Sequence, residues 1–504
     1  MPRKDFFELH LLFLATAFIV LLLSPQNPFG TGVMLTDSGV FQTIAMMMEN
    51  GFMPYRDSFD HKGPLLYVIN FFGRLIDTDH GIWFLEFISL YVLIIISYKI
   101  AGLTNNSYFV KLITILFALF FLEGRFVDGG NNTEEFAMPF IAGGIYIFLD
   151  YLINKNISKY RIAICGGAFA CVLMLKVNMV SVWLVFCLYI SAKCIIEKNW
   201  GNLFHYIVWF LVGIVFVVLP IFLWLSFNGA FIDFLNCYIL FNLKYSTGSL
   251  HSLFDTLFVQ GYSAVFLISL IVSLLFSLQK GKNKALFIVY SFYLLVSLFL
   301  ASMSRRIYGH YALVLVPSVV FPMSCFFGIF LEKRGFGRGL LVMFSAAVLF
   351  FLGSLYIYTD SRIDKWLNDS MKEWSHRVPL PYFETEDDLE REMSIVIDKY
   401  TSKENKISVY GSLNSIYVLS NRIHATKYSY QMPIGYIEPK IIDEYFFSLE
   451  QELPTLIVLS AQMSRDVRMR EFLARHEYTN IYSKGHEIFV LFPKVPQSSL
   501  DNRL

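Results

Sequence analysis

The chain has 504 residues and almost no net charge, with 41 Lys and Arg against 40 Asp and Glu. Hydrophobic residue types make up 56% of it and charged ones only 16%, against roughly 25% charged in an ordinary soluble protein. This composition excludes a water-soluble enzyme, a disordered scaffold and a fibrous protein. The balanced charge provides no basic field for nucleic acid. The sequence therefore predicts a polytopic α-helical membrane protein.

Apolar runs of bilayer-crossing length recur through the first 358 residues. The first run follows Arg3 and Lys4 as a signal peptide would, but no small-residue cleavage pattern comes after it. We therefore expect it to remain as an anchor. The eleven predicted spans are residues 10–24, 82–98, 109–122, 136–153, 162–175, 179–196, 204–227, 257–278, 285–301, 312–331 and 339–358.

The distribution of basic residues predicts the orientation of these spans. With a cytoplasmic N-terminus, the inner segments carry fifteen Lys and Arg, against eight in the longer outer loops before residue 359. Because basic residues are enriched in cytoplasmic loops, the N-terminus is predicted to lie inside the cell. An odd number of spans then places the C-terminal part outside. The expected location is the plasma membrane.

Three segments are not simple spans. Residues 25–81 form a predicted first outer loop, in which 38–50 and 65–76 have helical apolar spacing and are expected to lie in the membrane interface. Residues 228–256 are predicted to form a second long outer loop. Residues 359–504 are polar and alternate strand-like runs with helical segments, which predicts a small extracytoplasmic α/β domain after a membrane domain of residues 1–358.

The unusual polar residues fall on the predicted outer side of the membrane. Ionisable groups at membrane level are costly, so they indicate a functional site or pathway. The clusters are Asp37, the run Asp57, Asp60, His61 and Lys62, the pair Glu134 and Glu135, Lys176, and the run Arg305, Arg306, Tyr308, His310 and Tyr311.

Cations and carboxylates beside lipid suit a substrate with a phosphate head and an apolar tail. Arg and Lys would hold the phosphate, and they would stabilise the charge that grows on it as it leaves. A carboxylate would remove a proton from an incoming hydroxyl. This chemistry is glycosyl transfer from a polyprenyl-phosphate sugar to an envelope glycan, lipid or protein acceptor.

An Asp in the first outer loop, the block FDHKGPLLY, an acidic pair in the second loop and a late RRIYGHY segment occur in this order. Together they resemble integral-membrane glycosyltransferases of the C fold class (GT-C). The closest resemblance is to the bacterial branch of the protein O-mannosyltransferase superfamily, which includes the lipid A aminoarabinose transferases. It covers about the first 360 residues, and an outer C-terminal domain is common in the family.

The resemblance implies roles for individual residues. Asp37 matches the catalytic acid, and Ser38 follows it where many relatives have a second acid, which disfavours a two-acid metal motif at this position. No cofactor is expected to be required, and the need for a divalent metal stays open. The resemblance assigns Asp37 and either Glu134 or Glu135 to catalysis, and Lys62, Arg305 and Arg306 to the donor phosphate. The other residues of the outer clusters are expected to join them, Lys176 at the phosphate and Asp57, Asp60, His61, Tyr308, His310 and Tyr311 in substrate binding.

For many of these residues the sequence leaves another explanation open. Asp37 can cap a helix, and Glu134 and Glu135 can favour a helix N-terminus. Asp57, Asp60 and His61 can form a turn, a salt bridge with Arg56 or a metal cluster. Lys176 can snorkel to the interface, Arg305 and Arg306 can be interfacial anchors, and His310 can be a structural histidine.

Two other functions use the same residue types. A transporter or flippase would line a substrate path with charges, but no inverted repeat is present in the sequence to support it. A non-catalytic subunit for lipid-linked sugars would not depend on Asp37. The sequence specifies neither the sugar and acceptor nor the exact lipid.

Overall fold

The computed structural model describes residues 3–21, 36–119, 130–247, 263–278, 284–303, 305–306, 308–332 and 386–492. The chain divides into two compact units. The first unit takes the described parts of residues 1–33, 62–231 and 240–379. The second takes the described parts of residues 34–61, 232–239 and 380–504.

The described residues up to 332 are almost entirely helical. Short 3₁₀ turns at Val177–Met179 and Gly309–Leu315 and a π-turn at Leu235–Leu240 join the α-helices. The helices are α1 Arg3–Leu21, α2 Thr36–Glu49, α3 Pro64–Ile76, α4 Gly81–Gly102, α5 Tyr108–Leu119, α6 Thr133–Asn154, α7 Lys159–Leu173, α8 Ser181–Ile196, α9 Trp200–Phe227, α10 Phe231–Phe234, α11 Phe241–Thr247, α12 Ser263–Leu278, α13 Lys284–Ser302 and α14 Val316–Glu332.

Within the described chain, five helices are long and apolar enough to cross a membrane: α4, α6, α9, α13 and the continuous helix Gly309–Ile329. Shorter apolar helices cover residues 8–19, 64–76, 108–119, 181–196 and 266–278. The predicted eleventh span, 339–358, lies outside the described residues. The count of eleven and the orientation therefore stay predictions.

Close backbone contact joins α7 and α9. A Cβ atom on Gly166 would overlap the carbonyl of Phe210, and one on Gly213 would overlap the carbonyl of Ala163. Small residues at helix interfaces allow this approach in membrane proteins, where van der Waals packing must replace the hydrophobic effect. The opposite side of α9 remains open, since only 6% of its most apolar window is buried.

Residues 228–256 were expected to form a loop, but the described part folds as α10, the π-turn and α11. Apolar side chains recur there at helical spacing and are buried, namely Phe234, Cys237, Tyr238, Phe241 and Tyr245. The loop prediction is therefore wrong for residues 231–247. The rest of that segment lies outside the described residues.

The second unit contains a four-stranded sheet with strand order β1-β2-β4-β3. Strands β1 and β2 are parallel, with Val409 opposite Val458, and the other two pairings are antiparallel. The four strand-like runs of the sequence form these strands. In chain order the elements are α15 Glu386–Tyr400, β1 Ile407–Tyr410, α16 Ser415–Ser420, α17 Ile434–Ile437, α18 Lys440–Gln451, β2 Leu456–Leu459, a 3₁₀ turn Ala461–Met463, α19 Val467–Arg475, β3 Thr479–Lys484 and β4 His486–Val490.

Helix α2 packs inside this second unit. Met46 is 1% exposed and belongs to the same core as Val409, Val458 and Ile488. Thr43 donates its hydroxyl to the carbonyl of Asn414 at 3.1 Å, 371 residues away in sequence. The helix predicted at 38–50 therefore contributes one face to the core beside the sheet.

Candidate functional site

The N-terminus of α6 carries the acidic pair of the predicted second outer loop. The side chain of Glu135 turns back and accepts hydrogen bonds from the backbone N–H and the amide of Asn132, at 3.1 and 2.8 Å. Asn132 and Glu135 thus form a capping box, which satisfies backbone groups that the helix leaves unpaired. Glu135 thus performs the structural role that its position at a helix start allows.

Glu134 has a different environment. Its Oε1 accepts a hydrogen bond from Lys176 Nζ at 2.6 Å, with the two side chains 2% and 17% exposed. Its Oε2 is buried and has no hydrogen-bond partner among the described residues. The pair therefore leaves one buried carboxylate oxygen, Oε2, that can accept a hydrogen bond from a substrate hydroxyl or a water molecule.

The turn that carries Lys176 is fixed by the segment before α3. Gly63 donates its N–H to the carbonyl of Leu175 at 2.9 Å, and Leu65 donates to the carbonyl of Met174 at 3.1 Å. A Cβ atom on Gly63 would overlap the Met174 carbonyl, so only glycine permits this contact. The FDHKGP motif therefore brings its lysine beside the Lys176 turn.

Lys62 and Lys176 share one electrostatic environment. Lys62 is 9% exposed, and its carbonyl accepts the hydroxyl of Tyr67 at 3.3 Å. Burial lowers the pKa of Lys176, and the charge of Lys62 lowers it further, whereas Glu134 acts in the opposite direction. Lys62 therefore adds a second positive charge beside the Glu134–Lys176 pair, which favours the binding of an anion.

The aromatic residues of the late RRIYGHY segment also lie close to Lys176. Lys176 Nζ lies 3.7 Å from the centre of the Tyr311 ring, and the rings of His310 and Tyr311 meet edge to face at 4.8 Å. The ring of Tyr308 stacks on His310 at 5.6 Å. These predicted substrate-binding residues therefore surround the Glu134–Lys176 pair.

The two arginines of this run differ. Arg306 is 5% exposed, and its guanidinium lies 4.1 Å from the centre of the Tyr245 ring. Arg305 is exposed and has a left-handed backbone with φ of 51°. Only Arg306 is thus buried within the cluster, and the structure separates two residues that the sequence treated alike.

Tyr245 links the basic residues and was missed by sequence analysis. Burial raises the pKa of its hydroxyl, as does Tyr311, while the positive charges of Lys62 and Arg306 act to lower it. Its side chain therefore lies within electrostatic reach of both cations. Its helical aromatic spacing from Phe241 was the available signal, but the segment had been read as a loop.

Glu86 was also missed. It is 2% exposed in α4 and accepts a hydrogen bond from the backbone N–H of Asn131. One turn further along α4, Ser89 donates its hydroxyl to the carbonyl of Glu135 at 3.0 Å. The amides of Asn70 and Asn131 bond reciprocally at 3.1 and 2.7 Å. A lone carboxylate within an apolar span was the signal that could have found it.

The remaining predicted substrate residues belong to the second unit. Asp57 accepts two hydrogen bonds from Arg56, at 2.9 and 2.7 Å, and one from the N–H of Met53 at 2.7 Å. Asp60 accepts the hydroxyl of Tyr430 at 2.7 Å and lies 3.3 Å from His61 Nδ1. The geometry of Asp57 is that of the salt-bridged turn considered as an alternative.

Asp37 also belongs to the second unit. It lies in the first turn of α2, which begins at Thr36, and its side chain is exposed. An acid in the first turn is favoured by the partial positive charge of a helix N-terminus. The helix start thus accounts for an acid at this position, and the exposure leaves the carboxylate accessible.

The part of the chain that the structure describes contains no group of three or more His, Cys, Asp or Glu side chains placed to hold a metal ion. Asp57, Asp60 and His61 accordingly do not form such a group. The residues that come together in the first unit are cations, the neighbouring carboxylates of Glu134 and Glu135, and aromatic rings.

Comparison with solved structures gives the fold. ArnT from Cupriavidus metallidurans bound to undecaprenyl phosphate is similar over 97% of this chain and 99% of its own, with a TM-score of 0.63 and 12% identity. The apo state of the same protein is similar over 96% and 97%, with a TM-score of 0.60 and 13% identity. The chain therefore has the GT-C fold that the sequence resemblance implied.

None of the curated protein sequences compared with the chain matches it. Residues 5–331 match the family model described as "Putative competence-induced protein Ccs4 N-terminal domain". This match covers more than half of the 504 residues. The chain therefore belongs to the Ccs4 N-terminal domain family.

Proposed function

We propose that the protein is a membrane glycosyltransferase that moves a sugar from a polyprenyl-phosphate donor to a hydroxyl-bearing acceptor. The observation that carries this proposal is the buried Glu134–Lys176 pair, which lies with Lys62, Tyr245 and Arg306 in one electrostatic network. The cations Lys62, Lys176 and Arg306 are suited to hold a phosphate, and the GT-C fold is consistent with that use.

The donor phosphate would be held by Lys62, Lys176 and Arg306. Arg offers a planar fork of donors to phosphate oxygens, and Lys offers a compact charge. The similar ArnT structure contains undecaprenyl phosphate, which favours a polyprenyl carrier for this chain too. Arg305 is exposed, and we assign it an outer position in which it meets the donor on entry.

The reaction is a direct displacement at the anomeric carbon. The acceptor oxygen forms a bond to that carbon while the bond from carbon to phosphate oxygen breaks, and the electron pair of that bond leaves with the polyprenyl phosphate. The acceptor proton passes to a carboxylate. We assign this base to Asp37, because its side chain is accessible and because it matches the family's catalytic acid. A single displacement inverts the anomeric configuration.

The remaining features of the proposal concern location. The charge distribution favours a cytoplasmic N-terminus, eleven spans and an extracytoplasmic C-terminal α/β domain of residues 359–504. The acceptor is then an envelope glycan, lipid or protein on the outer face of the membrane. Whether the sugar is a hexose or a pentose is left to the experiment.

The test is a donor assay with full-length protein in detergent. Native mass spectrometry with undecaprenyl phosphate should detect one bound lipid, and a panel of undecaprenyl-phosphate sugars with envelope extract should release the free lipid phosphate. Asp37→Asn should bind the lipid but release the lipid phosphate about 10²- to 10⁴-fold more slowly. Full release by Asp37→Asn would contradict the assignment of the base, and an absence of lipid binding by the wild type would contradict the proposal.

A further inference from the structure

An apolar cavity of about 150 Å³ lies among helices α6 to α9. It is far from the candidate site: Tyr151 on its wall follows Glu134 on the same helix by 17 residues, which is about 25 Å at a rise of 1.5 Å per residue. This is close to the thickness of a bilayer core. The lining includes Phe148, Tyr151, Ile162, Cys187, Tyr206 and Phe210.

The two tyrosine hydroxyls on the cavity wall satisfy each other. The hydroxyls of Tyr151 and Tyr206 lie 3.1 Å apart and form one hydrogen bond. Their rings meet edge to face at 5.8 Å. The interior therefore demands no polar group from an occupant and suits a hydrocarbon chain.

Basic residues lie within two positions of lining residues in the sequence. Lys155 and Lys159 flank the lining residue Ile157, and Lys193 follows the lining residue Ser191 by two positions. Partial burial and then the charge of Lys193 lower the pKa of Lys155, so the two lysines lie near each other. Arg161 precedes the lining residue Ile162.

Acidic residues offset only part of this charge. Asp150 pairs with Arg161, and Glu197 lies 3.7 Å from Lys193 in an exposed contact. Lys159 lies 5.0 Å from the centre of the Trp209 ring, beside the lining residue Phe210. Four basic side chains with two acids form an anion-attracting border around an apolar interior.

We propose that this cavity binds an anionic membrane phospholipid, with an acyl chain inside it and the phosphate against Lys155 and Lys193. The cavity provides the apolar surface, and the border provides the charge complementarity. Access from the bilayer is open, because α9 exposes Phe204 and Leu211 beside the lining residues. This lipid is distinct from the donor, whose phosphate belongs near Glu134 at the other end of α6.

Native mass spectrometry of the full-length protein tests the proposal with phosphatidylglycerol and phosphatidylcholine of identical acyl chains. Phosphatidylglycerol should bind about tenfold more tightly. The double variant Lys155→Gln/Lys193→Gln, with exposed or half-exposed positions that tolerate exchange, should lose that preference. Lys99→Gln, an exposed lysine in the last turn of α4, is the matched control and should keep it.

A second pair of variants tests the cavity itself. Ser191→Trp fills it and should reduce retention of both lipids about tenfold, whereas Ala192→Trp, at the adjacent exposed position, should not. Equal retention of the two lipids by the wild type would overturn the proposal, as would a double variant that keeps the preference. Displacement of phosphatidylglycerol by undecaprenyl phosphate would also overturn it, since the cavity would then belong to the donor.

Discussion

Lys176 and Glu134 form an ion pair with an Nζ–Oε1 distance of 2.6 Å, although they come from a turn and a helix start 42 residues apart. The lysine ammonium also lies over the Tyr311 ring at 3.7 Å. A buried pair of this kind is costly to break, because the remaining partner keeps its charge without compensation. A substitution of either residue should therefore change both the stability of the first unit and the proposed phosphate site.

Lys176→Met should destabilise the protein by about 3–5 kcal/mol, since Glu134 would remain charged and unpaired in a buried position. The double variant Glu134→Gln/Lys176→Met should recover most of that loss. Thermal unfolding of the four proteins of this cycle measures the coupling. Additive effects would show that the pair contributes no interaction energy.

Arg306→Ala should weaken binding of undecaprenyl phosphate about tenfold or more, because a charge-assisted hydrogen bond contributes roughly 1.5–3 kcal/mol. Arg305→Ala should have a smaller effect, since its side chain is exposed while that of Arg306 is buried on Tyr245. Lipid titrations of both variants decide the matter. A larger loss for Arg305→Ala would reverse the assignment of the two arginines.

Gly63→Ala should destabilise the protein by about 1–3 kcal/mol, because the added Cβ overlaps the Met174 carbonyl and must push the Lys62 segment away from the Lys176 turn. Gly143→Ala is the matched control. A Cβ there meets nothing within 4 Å, and alanine favours the helix by up to about 1 kcal/mol. Thermal unfolding separates the two, and equal stability of both variants would contradict the docking argument.

Asp37→Asn should leave folding intact and reduce sugar transfer about 10²- to 10⁴-fold, because the amide cannot accept the acceptor proton. Asp79→Asn, another exposed acid of the predicted first outer loop, should transfer at the wild-type rate. Turnover and undecaprenyl phosphate binding are measured together. Normal turnover by Asp37→Asn would move the base to Glu134, whose buried Oε2 has no hydrogen-bond partner among the described residues.

His424 predicts a pH dependence of stability in the second unit. Burial lowers its pKa from 6.5 to about 4, and its Nδ1 contacts the carbonyl of Thr426 at 2.6 Å. The unfolded chain therefore binds more protons between these values. The stability it contributes is present above pH 6.5 and is lost as the pH falls towards 4, by about 3 kcal/mol.

Unfolding midpoints of the wild type and His424→Gln between pH 4 and 7.5 test this dependence. The wild type should lose stability more steeply below pH 6.5 than the variant. Ser58, whose hydroxyl lies 2.9 Å from His424 Nε2, is the neighbour that either form must accommodate. Parallel profiles would show that His424 does not titrate with unfolding.

Several members of the candidate site were identifiable from sequence. Lys176 interrupts an apolar run, and Lys62, Glu134 and Arg306 stand in polar clusters between apolar spans. A charge at membrane level has a cost that local sequence makes visible. Their partners were not identifiable, because the contacts between them come from distant elements. The Glu134–Lys176 pair and the docking of Gly63 on Met174 leave no local pattern.

The misses have definite physical causes. Tyr245 was overlooked because its segment was read as an outer loop, although its spacing from Phe241 is helical. Glu86 was overlooked because its span is otherwise apolar enough to be read as a simple crossing. The position of α2 in a protein core could not be predicted, because its amphipathic spacing fits the membrane interface equally well. The contact of Thr43 with Asn414, which is distant in sequence, is what places α2 in the core.

The composition of the second unit limits how this protein can be divided. Met46 completes the core beside the sheet, Asp60 accepts the Tyr430 hydroxyl, and Lys427 pairs with Asp233 at 2.8 Å. A fragment that begins near residue 380 would lack all three contributions and expose the apolar surface they cover. Chimeras between relatives should therefore exchange residues 34–61, 232–239 and 380–504 together. The fragment that begins near residue 380 should be insoluble when it is produced alone.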